Sequence, residues 1–375
     1  MKIIFCDNGL DPFLNFRGYV AEHFHKKGWE VGVVVPKATC SKQSLTKVPK
    51  YLKVHQVSLN RNSSNPFADI SYYKEVHGLF KTLAPDIVFT YTIKPNIYGS
   101  IAAHKLNIPV VAMVAGLGYA FSGNSLKHKL GRALYKYGLQ KADKVIVLNE
   151  SNLQTLSNGF VNRENLILFE GGEGVDLSQF KFVDDNYESV RFLMVARVLY
   201  DKGYSEYVGA AKIVKAKYPD AKIELLGPLA TDSPMGVPEH IVMSDHESGY
   251  ITYLGETDDV TKYVGLKGVV VVVSSYHEGF NRSLMEACAM GRICITSNIP
   301  GCREIVNDGY NGYLVQPKDE AALAQTMFSL IESSQSQRES LAHNSYKKAQ
   351  AVFDVRHVFK KYDSIIDGIL ANRNV

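Results

Sequence analysis

The apolar residues of this chain fall into short runs with almost no polar alternation. KIIFC (2–6), EVGVVV (30–35), DIVFTY (86–91), PVVAMV (109–114), KVIVLN (144–149) and LILF (166–169) read as strands. A strand apolar at nearly every position is covered on both faces. Between these runs, as over 16–27 and 97–106, apolar positions recur at helical spacing. Strand alternating with helix predicts a parallel sheet with crossover helices. The pattern restarts with VRFLMVA (190–196), AKIELLG (221–227), ITYLG (251–255), VVVVV (269–273), ICITS (293–297) and GYLV (312–315). Two doubly wound α/β domains are expected, an N-terminal one over 1–183 and a C-terminal one over 184–353. A last helix within 354–375 can pack back on the N-terminal domain. The polar segment 184–189, after the glycine-rich GGEGVD (171–176), reads as the linker.

Length agrees with this division, since 375 residues exceed the size at which one core stops growing. Apolar residues at 46% and charged residues at 21% describe an ordinary water-soluble chain. The five cysteines are odd in number and scattered, with no CxxC pair, which suggests neither a zinc site nor a disulfide framework and fits a reducing cytoplasm. The start, MKIIFCDNGL, breaks its apolar run at Asp7 and is no signal peptide. The uncharged stretch 106–126 contains Pro109, Gly116 and Gly118 and makes a poor membrane span.

Charge is divided unevenly. Residues 1–175 hold 21 Lys and Arg against 12 Asp and Glu, a net of +9, while the remainder nets −5. Such a split points the first half toward something anionic, unless the lysines are merely solvated surface.

Several chemistries lack their motifs. DNGLDPF follows the first strand in place of G-x-G-x-x-G, and there is no G-K-[ST], G-x-S-x-G, H-E-x-x-H or D-x-D. Three strand-end constellations remain in the second half. VARVLYDKG (195–203) sets Arg197 and Lys202 five apart before a helix opened by Gly203, which suits a diphosphate held without metal. LGETDDV (254–260) offers Gly255 and Glu256 to a planar base, although acidic residues at a helix start explain it as well. HEGFNRSLMEACAMG (277–291) places Glu278 and Glu286 eight apart across a strand-to-helix junction. Ser283 with Glu286 also satisfies S-x-x-E, a capping box. Glu278 has no such structural explanation, and a carboxylate there can accept hydrogen bonds from sugar hydroxyls.

With both glutamates in view, EGFNRSLMEA resembles the E-x7-E element of family 4 glycosyltransferases, which are retaining enzymes of GT-B architecture with two Rossmann-like domains facing across a cleft. The resemblance runs the length of the chain. VARVLYDKGYSEYVGAAKIVKAKYPDAKIELLG is similar to the family's phosphate-binding segment, and IPGCREIVNDGYNGYLV to its second-domain signature. TIKPNIYGSIAA, VAGLGYAF and KADKVIVLNE resemble the bacterial subgroup that extends cell-surface glycans, such as capsule and O-antigen, on polyprenyl-diphosphate carriers.

The resemblance implies that Arg197 and Lys202 hold the donor diphosphate and that Glu278 holds the donor sugar. It places the N–H groups of Gly279, Phe280, Asn281, Arg282 and Ser283 near sugar and phosphate, Glu286 at the ribose, and Gly9 at a close approach of the first loop. Where many relatives carry a histidine, this chain has YTIKPN (91–96), so no histidine base is assigned. Arg292-Ile293 stands where relatives often have Lys-Pro.

The implied reaction is metal-independent transfer with retention. A sugar, by resemblance an N-acetylhexosamine, passes from a UDP-sugar to a lipid-linked or oligosaccharide acceptor, with no cofactor and no nucleic-acid partner. The segment 125–144 carries Lys127, Lys129, Arg132 and Lys136, with Leu126, Leu130, Leu134 and Tyr137 at helical spacing. It reads as an interfacial helix for the inner membrane surface, or as a core helix with a basic outer face. The competing functions are a nucleotide-sugar epimerase or hydrolase of the same fold, and a non-catalytic nucleotide-sugar-binding protein.

Overall fold

The computed structural model describes residues 1–60, 65–118, 121, 123–231, 233–273 and 279–371. The chain forms two compact units, Met1–Glu173 with Val358–Val375, and Gly174–His357. The first holds strands β1 (Lys2–Cys6), β2 (Glu30–Pro36), β3 (Leu52–Val57), β4 (Ile87–Tyr91), β5 (Val110–Val114), β6 (Lys144–Val147) and β7 (Leu166–Leu168), with helices α1 (Leu10–Lys26), α2 (Lys42–Thr46), α3 (Pro66–Leu83), α4 (Ser100–Lys105), α5 (Leu126–Leu139) and α6 (Glu150–Ser157). Its sheet order is β3-β2-β1-β4-β5-β6-β7, every pair parallel. The apolar runs become strands because both faces are covered: Ile3 to Cys6 and all of β4 and β5 are buried. Strand β3 is absent from the sequence reading. LKVHQV lies at the sheet edge with Lys53 and Gln56 exposed, so its polar residues break the apolar run that marks the inner strands.

The second unit holds β8 (Arg191–Val195), β9 (Lys222–Leu226), β10 (Thr252–Tyr253), β11 (Val269–Val273), β12 (Ile293–Ser297) and β13 (Gly312–Val315), in order β10-β9-β8-β11-β12-β13 and again all parallel. Helices α7 (Tyr204–Lys217), α8 (Glu239–Glu247), α9 (Thr261–Val264), α10 (Arg282–Ala289), α11 (Glu320–Glu332) and α12 (Gln335–Lys348) accompany it. Both units are α/β folds of the doubly wound, Rossmann-like kind.

Helix α13 (Val355–Ala371) begins in the second unit and runs into the first. Within the first unit, the Tyr362 hydroxyl meets that of Tyr91 at 2.9 Å, and its ring lies 5.0 Å from Phe89. Phe359 stacks on His23 at 4.4 Å, and Asp363 pairs with His23 and Lys27.

The division falls at Glu173, ahead of the expected 183. The reason is local packing: Val175 bridges to Asp354, and Val175 and Phe180 lie in the core of the second unit. The expected linker 184–189 is instead pinned by two buried side chains, Asp185 and Tyr187, while the rest of it stays exposed. Asp185 accepts from the N–H groups of Tyr187 (2.9 Å) and Gly268 (2.6 Å) and pairs at 2.6 Å with Arg292, which is fully buried. Arg292 also donates to the Val183 carbonyl at 2.9 Å. The departure from Lys-Pro at this position therefore has a structural role.

A second buried cation sits at the end of β1. Arg17, on α1, pairs with Asp7 at 3.0 Å and with Glu173 at 2.9 Å, over the Tyr91 ring at 4.2 Å. Burial raises the Asp7 carboxyl to about 6, with the Arg17 charge opposing.

Asp185→Ala leaves Arg292 without its buried counter-charge and should destabilise the protein by about 3–5 kcal/mol. Urea unfolding checks this, and a loss below about 1 kcal/mol would contradict this pinning. For Asp7, a folded pKa above the unfolded value of about 3.9 gives a stabilising contribution that is complete below pH ~4 and lost as pH rises through about 6. Asp7→Asn should remove that decline from stability measured across the same window; an unchanged slope would show that other groups produce it.

Candidate functional site

In the second unit the strand order reverses between β8 and β11, because β8 leads to β9 on one side while β11 lies on the other. Ligands of open parallel sheets bind beyond the strand ends at such a point. Arg197 stands two residues past β8 and is exposed. Its neighbours are pinned: Ala196 N donates to Leu226 O at 3.1 Å, and Val198 N to Pro228 O at 3.0 Å. Lys202 ends a single 3₁₀ turn, Tyr200–Lys202, and is half-buried. Gly203, at φ +81°, then turns the chain into α7, whose start carries no side-chain cap. Its first N–H groups and dipole thus add positive potential beside the two cations.

Gly255 belongs to the same edge. Its carbonyl accepts from Gly227 N at 2.8 Å. Gly227 in turn presses on the Arg197 segment: a Cβ there would lie 1.9 Å from Ala196 O and 3.4 Å from Arg197 N. The ends of β8, β9 and β10 are therefore locked together, with Glu256 exposed beside them.

The junction after β11 is described from Gly279 onward. Glu278 lies outside the described residues. Phe280 packs against Phe353 with centroids 5.9 Å apart. Asn281 caps α10, accepting from Leu284 N at 3.1 Å, and its own N–H donates to Gly301 O at 2.9 Å. This corrects the Ser283–Glu286 capping box. The helix starts at Arg282, so Ser283 is already inside it and Glu286 is too far along to reach the cap. Glu286 is buried and bound instead by Arg282 Nε at 2.6 Å, one turn back. Burial raises the Glu286 carboxyl above its ordinary value, and Arg282 opposes that shift.

Gly9 is in the other unit, where it precedes α1 with φ −171°, an extended conformation open to any residue. On α5, Lys127 and Lys129 are exposed, Lys136 is half-buried, and Arg132 turns back to the Gly123 carbonyl at 2.6 Å. Sequence reasoning missed the pocket beside Lys202, lined by Gly203, Glu206, Tyr207, Thr296 and Lys318. These residues come from three separate segments, and the spacing of the cationic loop gives no sign of Thr296 or Lys318.

Residues 2–149 match the family model for glycosyl transferase 4-like domains, and 178–348 match that for glycosyl transferases group 1. The chain is 27% identical to the N,N'-diacetylbacillosaminyl-diphospho-undecaprenol α-1,3-N-acetylgalactosaminyltransferase of Campylobacter jejuni, over 99% of this chain and all of that one. It is 24% identical to the capsular polysaccharide biosynthesis glycosyltransferase CapM of Staphylococcus aureus, over 94% of this chain and 93% of that one. Among solved structures it shares the fold of Anabaena HepE, crystallised with UDP, at a TM-score of 0.79 and 16% identity, covering 98% of this chain and all of that one.

Gly227→Ala should displace the Arg197 segment and lower stability by about 1–3 kcal/mol. Gly255→Ala, also at positive φ but with open space around a Cβ, should cost less. Chemical denaturation of the two variants checks the order, and a reversed order would refute the locking of β8 to β9.

Proposed function

We propose a substrate and mechanism for a chain that belongs to the glycosyltransferases, with a 4-like first half and a group 1 second half. The enzyme moves an N-acetylhexosamine from a UDP-sugar to a glycan borne on a polyprenyl diphosphate, in bacterial cell-surface polysaccharide or glycoprotein-glycan synthesis. The acceptor class is supported by the Campylobacter relative, named as acting on a diphospho-undecaprenol substrate, and capsule synthesis by CapM. The UDP donor is supported by HepE.

The observation that carries the mechanism is the placement of Arg197, Lys202 and the uncapped start of α7 on one loop at the switch point of a parallel sheet. Loss of a nucleotide from a glycosyl donor builds negative charge on the departing diphosphate. Fixed positive groups stabilise that charge without reorganising during the reaction. In the proposed step, acceptor oxygen attacks the anomeric carbon from the face that the phosphate leaves, and the departing phosphate oxygen takes the acceptor's proton. The outcome is retention, with no requirement for a divalent metal. Glu278 is assigned to the sugar hydroxyls by family resemblance. Glu286, held in place by Arg282, is assigned to the ribose, with the N–H groups of 279–283 toward sugar and phosphate.

The acceptor's lipid carrier brings the enzyme to the inner face of the cell membrane as a peripheral protein. Support comes from α5, where Leu126, Leu130, Leu134 and Tyr137 are exposed together with Lys127 and Lys129. Among the described residues, no helix is long and apolar enough to cross a membrane.

Arg197→Ala and Lys202→Ala should each lower kcat roughly 100-fold or more, by analogy with the loss of one preorganised donor. Product analysis with a panel of UDP-sugars and a lipid-diphosphate acceptor tests both donor and mechanism. Full activity in both variants, an absolute need for Mg²⁺ or Mn²⁺, or inversion at the anomeric carbon would overturn the reading.

A further inference from the structure

The first turn of α3 is built the wrong way round for a helix that serves only its own core. The buried residues of α3 are Tyr72, Val76 and Phe80, four apart on one stripe. Phe67 and Ile70 lie off that stripe, 79% and 49% exposed. The polar member of the same turn points inward: Asp69 pairs with Lys94 at 2.6 Å and accepts from the Tyr98 hydroxyl at 3.0 Å. Fraying does not explain the exposure, because the turn is fixed by Pro66 at its start and by Asn65, which accepts from Phe67 N at 3.0 Å. A single exposed apolar residue is ordinary, but a phenylalanine and an isoleucine three apart on an anchored turn form a patch.

The position of this turn gives the patch a partner. Lys94 follows the end of β4, so its bond to Asp69 ties the start of α3 to the C-terminal edge of the sheet. The adjoining segment 95–97 receives α5: Asn96 Nδ2 donates to the Tyr135 hydroxyl at 3.2 Å, and Ile97 abuts Gly138. Only the later half of α5 is buried there. The earlier half presents Leu126 and Leu130, 81% and 70% exposed, with Lys127 and Lys129. Lys37 and Lys42, exposed where the chain leaves β2, lie on the same edge. Apolar side chains interspersed with exposed lysines match an anionic bilayer surface, where the first enter the acyl boundary and the second meet phosphate headgroups.

We propose that Phe67 and Ile70 form a second membrane-insertion point, which acts with the start of α5 to seat the strand-end edge of the first unit on an anionic bilayer. The proposal rests on the membrane reading given above for α5. Two separated points fix the orientation of a rigid unit on a surface, whereas a single helix leaves it free to rotate about that helix. The bilayer then lies against the edge at which the first unit's loops converge.

The test uses the full-length protein and vesicles of phosphatidylcholine with and without phosphatidylglycerol. Trp29 is the only tryptophan, so Phe67→Trp and Leu126→Trp in a Trp29→Phe background each give one reporter. Both should show a blue shift and quenching by brominated acyl chains on anionic vesicles. Phe67→Ser with Ile70→Ser should weaken vesicle binding about tenfold or more, while activity on a detergent-dispersed acceptor is unchanged. If Leu126→Trp is quenched while Phe67→Trp is not, and the double serine variant binds like the parent, the second insertion point is wrong and the α5 reading stands. If the parent does not bind anionic vesicles at low salt, both readings fall. Quenching at Phe67→Trp only when a polyprenyl diphosphate is added would assign the patch to the carrier chain and overturn bilayer seating, as would burial of the patch in a concentration-dependent dimer.

Discussion

Parallel pairing of strands is the constraint on which the rest depends. Every strand pair in both sheets runs the same way, so each strand must be followed by a crossover before the next can join. The helices that make those crossovers cover both faces, which is why strands such as Val110–Val114 contain no polar residue. The same geometry delivers the loops after the strands to one edge of each sheet. In the second unit that edge carries Arg197, Gly255 and the start of α10. In the first it carries Asp7, Lys94 and the start of α3. Chemistry is concentrated at these edges because the interior of each sheet is committed to packing.

Loops at an edge need fixing, and buried charge does much of it. Arg17 joins the tip of β1 to Glu173, where the chain first leaves the unit, through two carboxylates and rests on the Tyr91 ring. Arg292 joins the segment before β8 to the turn before β12 through Asp185 and backbone carbonyls. Both guanidiniums present donors in several directions, so one side chain satisfies groups from several elements at once. Neutralising one partner leaves a charge with no access to water, so such a cluster resists piecemeal loss. Gly227 fixes its edge by a different means, with backbone packed against backbone at a distance that leaves no room for a Cβ.

How far the chain could be read without its structure follows from the range of each interaction. Inner strands were legible because burial on both faces leaves a local apolar run. Edge strand β3 was not, because Lys53 and Gln56 reach toward water. The loop with Arg197 and Lys202 was legible from a five-residue spacing and a glycine. The cap of α10 was misread: S-x-x-E is satisfied by Ser283 and Glu286, but Asn281 takes the cap two positions earlier through its bond to Leu284 N. Segment 184–189 reads as a linker because it is polar, yet Asp185 is buried by a partner 107 residues away.

The sequence by itself determined the fold class, the family and the strand-end position of the loop with Arg197 and Lys202, since each is encoded in patterns a few residues to a few tens of residues long. Tertiary structure decided which charges are buried and which apolar residues are not. Asp7, Arg17 and Glu173 are unremarkable as letters and become a cluster only when β1, α1 and the segment ending at Glu173 meet. Phe67 and Ile70 are apolar, yet they face outward because the inward stripe of α3 is set by Tyr72, Val76 and Phe80, with Asp69 on the inner side bound to Lys94. Burial is a property of the whole packed unit, and no local pattern records it.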